Sequence, residues 1–470
     1  MTSDNIILLA DGYKYAHHKL YYPGTNKIYS YLESRGGVFP ATVFFGLQYY
    51  LKKYLSGQVI TEDKINAAEK VLTEVFQRQD VFDRTIFEYI LHQHGGRLPV
   101  KINAVPEGSV VENSNVLMTI ENTDPQCYWL TNFLETLLVQ IWYPITVATL
   151  SHHIRLIVEE YYQETASAGS FTGIPYVLND FGFRGVSSVE SAGLGDMSHL
   201  LNFVGSDTIV GSVFAQQYYQ AASIIGKSIP ATEHSICTLL GEEGELAVFE
   251  HVLRTYPTGT VACVSDSFDI FRACADYWGT ALKELILSRE GTLVIRPDSG
   301  DPTFTLLRVF DILFEKFGFT FNEKGYKVLP KQIRVIQGDG VNLDSIRQIY
   351  ACLKLNGISA ENLVLGMGGA LLQKPDRDVN QFALKCSYAE INGAPIDVQK
   401  NPLELNKYGV LQRSFKKSKK GQLKLVKEEG AYKTYRIEEN DAKDLMVPVF
   451  ENGTILKEYT FEEIISRIYQ

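Results

Sequence analysis

The sequence predicts an α/β protein built on a parallel sheet, arranged as a β/α barrel or part of one. Three observations predict it. From about residue 176, short Val/Ile/Leu runs alternate with segments of helical apolar spacing. The runs are continuously apolar, the pattern of strands covered on both faces. Most of them end in Asp, Arg or Gly, and in α/β folds the carboxyl ends of the strands line the site.

The elements follow in order. The first 170 residues mix types. Strands are expected over 26–34 and 99–108, and helices over 44–55, 60–76 and 83–93. Residues 128–143 are apolar on nearly all sides, which predicts a buried helix, ended or kinked by Pro144. Another helix runs to about residue 164. The barrel runs are 175–180, 206–211, 260–266, 292–298, 333–339 and 363–369. Helical segments 186–201, 243–256, 302–317 and 343–355 lie between them. Past residue 370 the chain reads as irregular β structure. The stretch 413–427 carries seven basic residues, which suits a solvated loop or one that faces phosphate. The expected division is 1–170 as an α+β portion packing with the C-terminal region, 171–380 as the β/α-barrel core, and 381–470 as a mostly β portion.

Composition narrows the function. The 470 residues carry 45 basic and 55 acidic groups, a net charge of −10, and 45% are hydrophobic. That apolar content excludes bulk disorder. The acidic balance argues against duplex nucleic acid as the main partner, but not against anionic substrates met by local basic groups. The most apolar stretch, 136–150, is too short to cross a bilayer and contains Gln140 and Pro144. The N-terminus lacks the features of a secretory signal, so a cytoplasmic protein is expected. Six dispersed cysteines without a CxxC pair read as reduced thiols, and their spacing disfavours zinc.

The strand ends DFGFRG, DTIVG, SDSFD, RPDSGDP, QGDG and GMGG point to a phosphorylated, polyhydroxylated ligand. Carboxylates accept from sugar hydroxyls or hold Mg²⁺, and glycines let backbone N–H groups approach phosphate. Each motif alone also fits a simple turn.

DFGFRGVSS (180–188), GSDTIVG (205–211), PATEHS (230–235), VSDSFD (264–269), IRPDSGDP (295–302), VIQGDG (335–340) and GGALLQK (368–374) closely resemble the nicotinamide phosphoribosyltransferases, within the type II phosphoribosyltransferase family. The N-terminal DGYKYAHHKLYYPGTNKIYSYLESR and ENTDPQCYWLTNFLETLLVQIWYPITVAT resemble them too, so the likeness runs in order through nearly the whole chain. It implies an irregular α/β barrel with an added mostly β domain, working as a homodimer. It also implies transfer of ribose 5-phosphate from phosphoribosyl pyrophosphate to nicotinamide, giving nicotinamide mononucleotide and pyrophosphate in NAD salvage.

The resemblance assigns roles, and the chemistry of each residue agrees. Phe181 stacks on the pyridine ring, with Tyr13 on the other face from a partner subunit. Asp207 accepts from the amide NH₂ and repels the carboxylate of nicotinate. Arg184 and Arg296 hold pyrophosphate and the amide oxygen. Asp298 is a candidate for the ribose, its developing charge or Mg²⁺, and Asp269 is a second acidic candidate near pyrophosphate and Mg²⁺. Gly338 and Asp339 suit the ribose hydroxyls, and Gly368 and Gly369 the 5′-phosphate. His234 matches a histidine phosphorylated by ATP, implying optional coupling; a neutral hydrogen-bonded histidine is the alternative. Arg35, Arg377, Lys385 and Lys400 match cations from the neighbouring subunit that clamp substrate phosphates. Three positions depart from the family pattern: Ala383 and Met367 stand where it has serine, and Asn179 where it has histidine.

A generic sugar-phosphate β/α-barrel enzyme accounts for the glycines but not for Asp207 or the stacking pair, and two further rivals remain on sequence grounds. One is a nicotinate phosphoribosyltransferase of the same fold, disfavoured by Asp207. The other is a non-catalytic nucleotide-binding protein, which need not keep Arg296, Asp298 and Asp339 together.

Overall fold

The computed structural model describes residues 4–413 and 417–470. Part of the basic stretch 413–427 lies outside the described residues. The chain divides into two compact units, 1–149 with 218–220 and 376–470, and 150–217 with 221–375.

The second unit is the barrel. Its six strands are Leu178–Asp180, Gly205–Ser206, Thr258–Val264, Glu290–Arg296, Ile333–Gln337 and Leu363–Met367. Every pairing among them is parallel. Across the sheet the order runs Gly205–Ser206, Leu178–Asp180, Leu363–Met367, Ile333–Gln337, Glu290–Arg296, Thr258–Val264. The segment 227–231 joins the two edges. Lys227 bridges to Gly205 and Ala231 to Ala262, both in parallel sense. Closure through single bridges instead of a full strand is what makes the barrel irregular. Ala262, Val294 and Ile336, from three successive strands, form an interior cluster against which Phe181 and Val364 pack.

The first unit carries a seven-stranded sheet drawn from both ends of the chain. The strand Thr25–Ser34 lies between Phe382–Ile391 on one side and Val116–Asn122 on the other, antiparallel to both. Val100–Ala104 and Val447–Glu451 extend it. The expected barrel with an added mostly β domain of N- and C-terminal parts is therefore the observed fold.

Two local expectations are corrected. The run 206–211 is not a strand throughout: pairing stops at Ser206, and Ile209–Tyr219 is a helix. Ile209 and Val210 belong to its 3.6-residue repeat rather than to a sheet. Pro144 neither ends nor kinks a long helix. It is the third residue of the helix Trp142–Thr165, in the first turn, where no N–H is needed. The preceding residues form short separate turns, Leu130–Phe133, Glu135–Leu138 and Val139–Ile141. Much of this apolar stretch, from Pro125 onward, is buried within the protein.

Candidate active site

The carboxyl ends of the barrel strands surround a cavity of about 820 Å³. Phe181, Arg184, Asp207, His234, Arg296, Asp298, Gly338, Asp339, Gly368 and Gly369 all line it. These expected residues come from six separate stretches of sequence, and the parallel sheet brings them to one end.

Phe181 follows the strand Leu178–Asp180 directly. Its N–H donates to the Met367 carbonyl at 3.0 Å, which ties its loop to the neighbouring strand end. The ring rests on Gly366, where an added Cβ would lie 2.0 Å from Phe181 Cε2. Only a residue without a side chain permits that approach. The Arg296 guanidinium stands 5.4 Å from the ring centroid, a cation–π contact. The same guanidinium donates twice to Asp298 Oδ1, from Nη2 at 2.8 Å and Nε at 3.1 Å. A pre-oriented cation and a ring thus share one wall.

Asp207 lies in the turn between Gly205–Ser206 and the helix Ile209–Tyr219. Its carboxylate is exposed to the cavity and accepts the Ser228 hydroxyl at 2.5 Å. His234 opens the short helix His234–Cys237; half its side chain is exposed, and Nε2 lies 3.2 Å from Asp266 Oδ1. Asp269 is placed differently. Its Oδ1 accepts the N–H groups of Phe271 and Arg272, capping the next helix, and it is not among the residues lining the cavity.

A second, narrower cavity of about 330 Å³ continues into the barrel interior over Ala262, Val294, Ile336 and Val364. Phe181, Asp207, Val264 and Arg296 line both. The ring, the acid and the cation therefore stand at the junction between a polar mouth and an apolar interior.

In the first unit, Arg35, Arg377, Lys385 and Lys400 line a cavity of about 580 Å³ together with Glu135 and Asp378. Burial holds the Lys385 ammonium below its ordinary range, opposed by Glu135 and reinforced by Arg35, Lys400 and Arg377. Four cations gathered on one concavity suit an anion. Tyr13 belongs to this unit as well. It sits on the turn Gly12–Ala16, 64% exposed, with its ring 5.3 Å from that of His17.

A family model described as the nicotinate phosphoribosyltransferase (NAPRTase) family matches residues 176–454, and one for the nicotinamide phosphoribosyltransferase N-terminal domain matches residues 5–102. The chain belongs to the nicotinate phosphoribosyltransferase family. Similar family members are named nicotinamide phosphoribosyltransferase. The protein from Xanthomonas campestris pv. campestris is 43% identical, covering 98% of this chain and 97% of that one. The one from Acinetobacter baylyi is 30% identical over 98% and 96%. Among solved structures, human nicotinic acid phosphoribosyltransferase superposes with a TM-score of 0.57 at 15% identity, covering 98% of this chain and 93% of that one. Nicotinate-nucleotide pyrophosphorylase from Pyrococcus furiosus gives 0.61 at 16%, covering 100% and 96%. These likenesses carry the fold.

Within this family frame the departures are readable. Met367 is buried and serves its neighbour through the backbone carbonyl, so a serine hydroxyl there is not needed for the Phe181 contact. Asn179 lines the inner cavity and donates to the Leu365 and Tyr176 carbonyls. Ala383 lines the cationic cavity from the strand Phe382–Ile391. Sequence reasoning passed over Asp266, Ser228 and Gly366. Asp266 stands in the same VSDSFD motif as Asp269, so the motif held the signal but not the choice. Gly366 is an isolated glycine inside a strand, a known mark of close approach.

Proposed function

We propose that the chain transfers ribose 5-phosphate from phosphoribosyl pyrophosphate to nicotinamide, forming nicotinamide mononucleotide and pyrophosphate in cytoplasmic NAD salvage. The observation that carries this reading is the convergence of Phe181, Asp207 and Arg296 at the junction of the two cavities. A flat apolar ring lies against Phe181, its NH₂ donates to Asp207, and its carbonyl accepts from arginine. Nicotinate would bring its carboxylate against that of Asp207, and this like-charge repulsion favours the amide.

The pyridine nitrogen lone pair forms the bond to the ribose anomeric carbon as the bond from that carbon to the pyrophosphate oxygen breaks. The electron pair leaves with pyrophosphate, and the ring nitrogen becomes cationic. No proton moves, so no general base is required. What the chain supplies is alignment and charge. Arg184 and Arg296 face the departing pyrophosphate. Asp298, already held by Arg296, and Asp339 steady the ribose as positive charge develops on it. Gly368 and Gly369 leave backbone N–H groups open to the 5′-phosphate.

Mg²⁺ fits the donor set at this mouth. Asp298 offers Oδ2 while Oδ1 holds Arg296, and Asp339 lies near in the lining. Asp269 fits less well, with one oxygen spent on two backbone N–H groups. When bound, the ion neutralises pyrophosphate oxygens. His234 is the proposed acceptor of phosphate from ATP, its half-exposed imidazole held by Asp266. A homodimer completes the site: Tyr13 of a second copy covers the free face of the ring, and the Arg35–Arg377–Lys385–Lys400 cavity of that copy meets the phosphates.

The test is direct. Purified protein with phosphoribosyl pyrophosphate and Mg²⁺ is offered nicotinamide and nicotinate, and pyrophosphate release is measured. Selective use of nicotinamide, weakened by Asp207→Ser, is the expected result. Preference for nicotinate, or no release with either base, refutes the reading. A strictly monomeric active enzyme refutes the shared site.

A further inference from the structure

Behind the Asp207 turn lie two carboxyl groups that the proposed transfer does not use. Asp180 ends the strand Leu178–Asp180 and Asp196 sits on the helix Val189–His199; neither has solvent exposure. Asp180 Oδ1 accepts the Gly182 N–H at 2.7 Å, and Asp196 Oδ1 accepts the Ser206 hydroxyl at 2.6 Å. The Oδ2 atom of each is buried without a partner. The two groups are within hydrogen-bonding reach of one another. As two carboxylates they could only accept: the buried Thr208 hydroxyl is within reach of Asp180, but Asp196 Oδ2 would stay unpaired in a dry site. One proton between them converts the two orphans into a donor and an acceptor.

We propose that Asp180 and Asp196 share one proton, and that this pair is the positioning device for the turn Ser206–Asp207–Thr208, which presents the Asp207 carboxylate to the ring amide. The second half rests on the functional reading above. The turn is fastened on both sides of Asp207. Its own N–H donates to the Asp180 carbonyl at 3.0 Å. Ser206 Oγ, whose proton goes to Asp196, accepts the Thr208 N–H at 2.9 Å. Gly211 makes room for the arrangement, since a Cβ there would lie 2.1 Å from Asp196 Oδ2.

Electrostatics agree. Burial, then the Asp180 and Asp207 charges, hold Asp196 well above the usual carboxylate range. Burial pushes Asp180 up to about 6, with Asp207 adding to it. The charged group facing the pair is Asp207, a further negative charge. His199, on the same helix, is lowered to about 4 by burial and its Nδ1 pairs with the Ser151 hydroxyl, so it brings no cation at neutral pH. A bound proton is what relieves the repulsion.

Asp196→Asn tests the idea, because a carboxamide can donate to Asp180 and accept from Ser206 just as the protonated acid does. The expected KM for nicotinamide stays within about twofold of the parent, whereas Asp196→Ala raises it about tenfold with the KM for phosphoribosyl pyrophosphate unmoved. In the parent the nicotinamide KM climbs as rising pH removes the shared proton, and Asp196→Asn abolishes that climb. Equal damage by Asn and Ala, or a parental KM in a folded Asp196→Ala protein, overturns the proposal. An infrared difference spectrum of parent against Asp196→Asn at neutral pH reads the proton without any turnover. A carbonyl band of an un-ionised carboxylic acid is expected, and its absence overturns the shared proton even in an active enzyme. The band present in a protein that turns over no nicotinamide confirms the proton but removes the positioning role together with the functional reading. If Asp196→Ala does not fold, the Asn variant and the band still decide.

Discussion

Replacing Gly366 by alanine puts one methyl group into the floor beneath Phe181. Its Cβ would stand 2.0 Å from Phe181 Cε2, 2.4 Å from Cδ2 and 2.8 Å from Cζ. Ordinary carbon contacts are about 3.5–4.0 Å, so the ring must retreat by well over 1 Å. Retreat disturbs the 5.4 Å contact with the Arg296 guanidinium and moves the ring out of the plane it offers a bound ring. Forcing a methyl into a packed site costs about 1–3 kcal/mol of stability. Loss of aromatic stacking costs the ligand about 0.5–1.5 kcal/mol beyond its buried area, or about 2- to 12-fold in affinity. Misalignment of the ring nitrogen adds to that. The expected result is a nicotinamide KM raised about tenfold, a lower melting temperature, and a phosphoribosyl pyrophosphate KM changed less than about twofold. Initial rates of pyrophosphate release with each substrate varied, beside a thermal melt, measure all three. A double-mutant cycle fixes the cause: in a Phe181→Ala background the alanine at 366 should cost little more. A parental nicotinamide KM in the folded single variant would refute the claim that Gly366 seats the ring.

Other outcomes follow from the same geometry. His234→Gln is expected to keep basal transfer and lose the gain in kcat/KM on adding ATP; an undiminished ATP effect would exclude His234 as the phosphate acceptor. Lys385→Met should raise the KM for phosphoribosyl pyrophosphate about 10- to 100-fold, the value of a charge-assisted contact, and flatten its salt dependence. Glu107 bears on stability: it is fully buried, accepts from the Gly46 and Gln48 N–H groups and the Tyr219 hydroxyl, and burial pushes it up to about 7. The folded state then holds its proton more tightly than the unfolded one, so stability falls as pH rises from about 4.5 through about 7, by about 3 kcal/mol. Denaturant titrations of the parent and Glu107→Gln across that window should differ in slope, and parallel curves would contradict the assignment.

The barrel was legible because strands buried on both faces are written as unbroken Val/Ile/Leu runs. Thr258–Val264, Glu290–Arg296 and Ile333–Gln337 fall where those runs lie. The run 206–211 was misleading because three of its residues begin a helix whose repeat shows only further along. Pro144 was read as a breaker because a proline in a helix start and one in a helix middle look alike until the start is known. At the site, residues on strand-end motifs were visible, since the fold sends every such end to one rim. Asp266 and Asp269 were not separable until one of them was seen to cap a helix. Asp196 gave no local sign at all: its partners come from residues 180 and 206, and only the tertiary fold makes them neighbours.

The interleaved first unit sets a timetable for synthesis. Thr25–Ser34 leaves the ribosome before the barrel does, yet one of its edges is covered by Phe382–Ile391, with Tyr29 opposite Tyr388. Until the whole barrel has been translated, that edge presents unpaired amide and carbonyl groups to any other nascent chain. The barrel's own strands are contiguous from residue 178 to 367 and can close beforehand. Expression yield should therefore suffer more from slowed translation before residue 382 than from slowing after it, and a chaperone that shields open strand edges is the natural remedy.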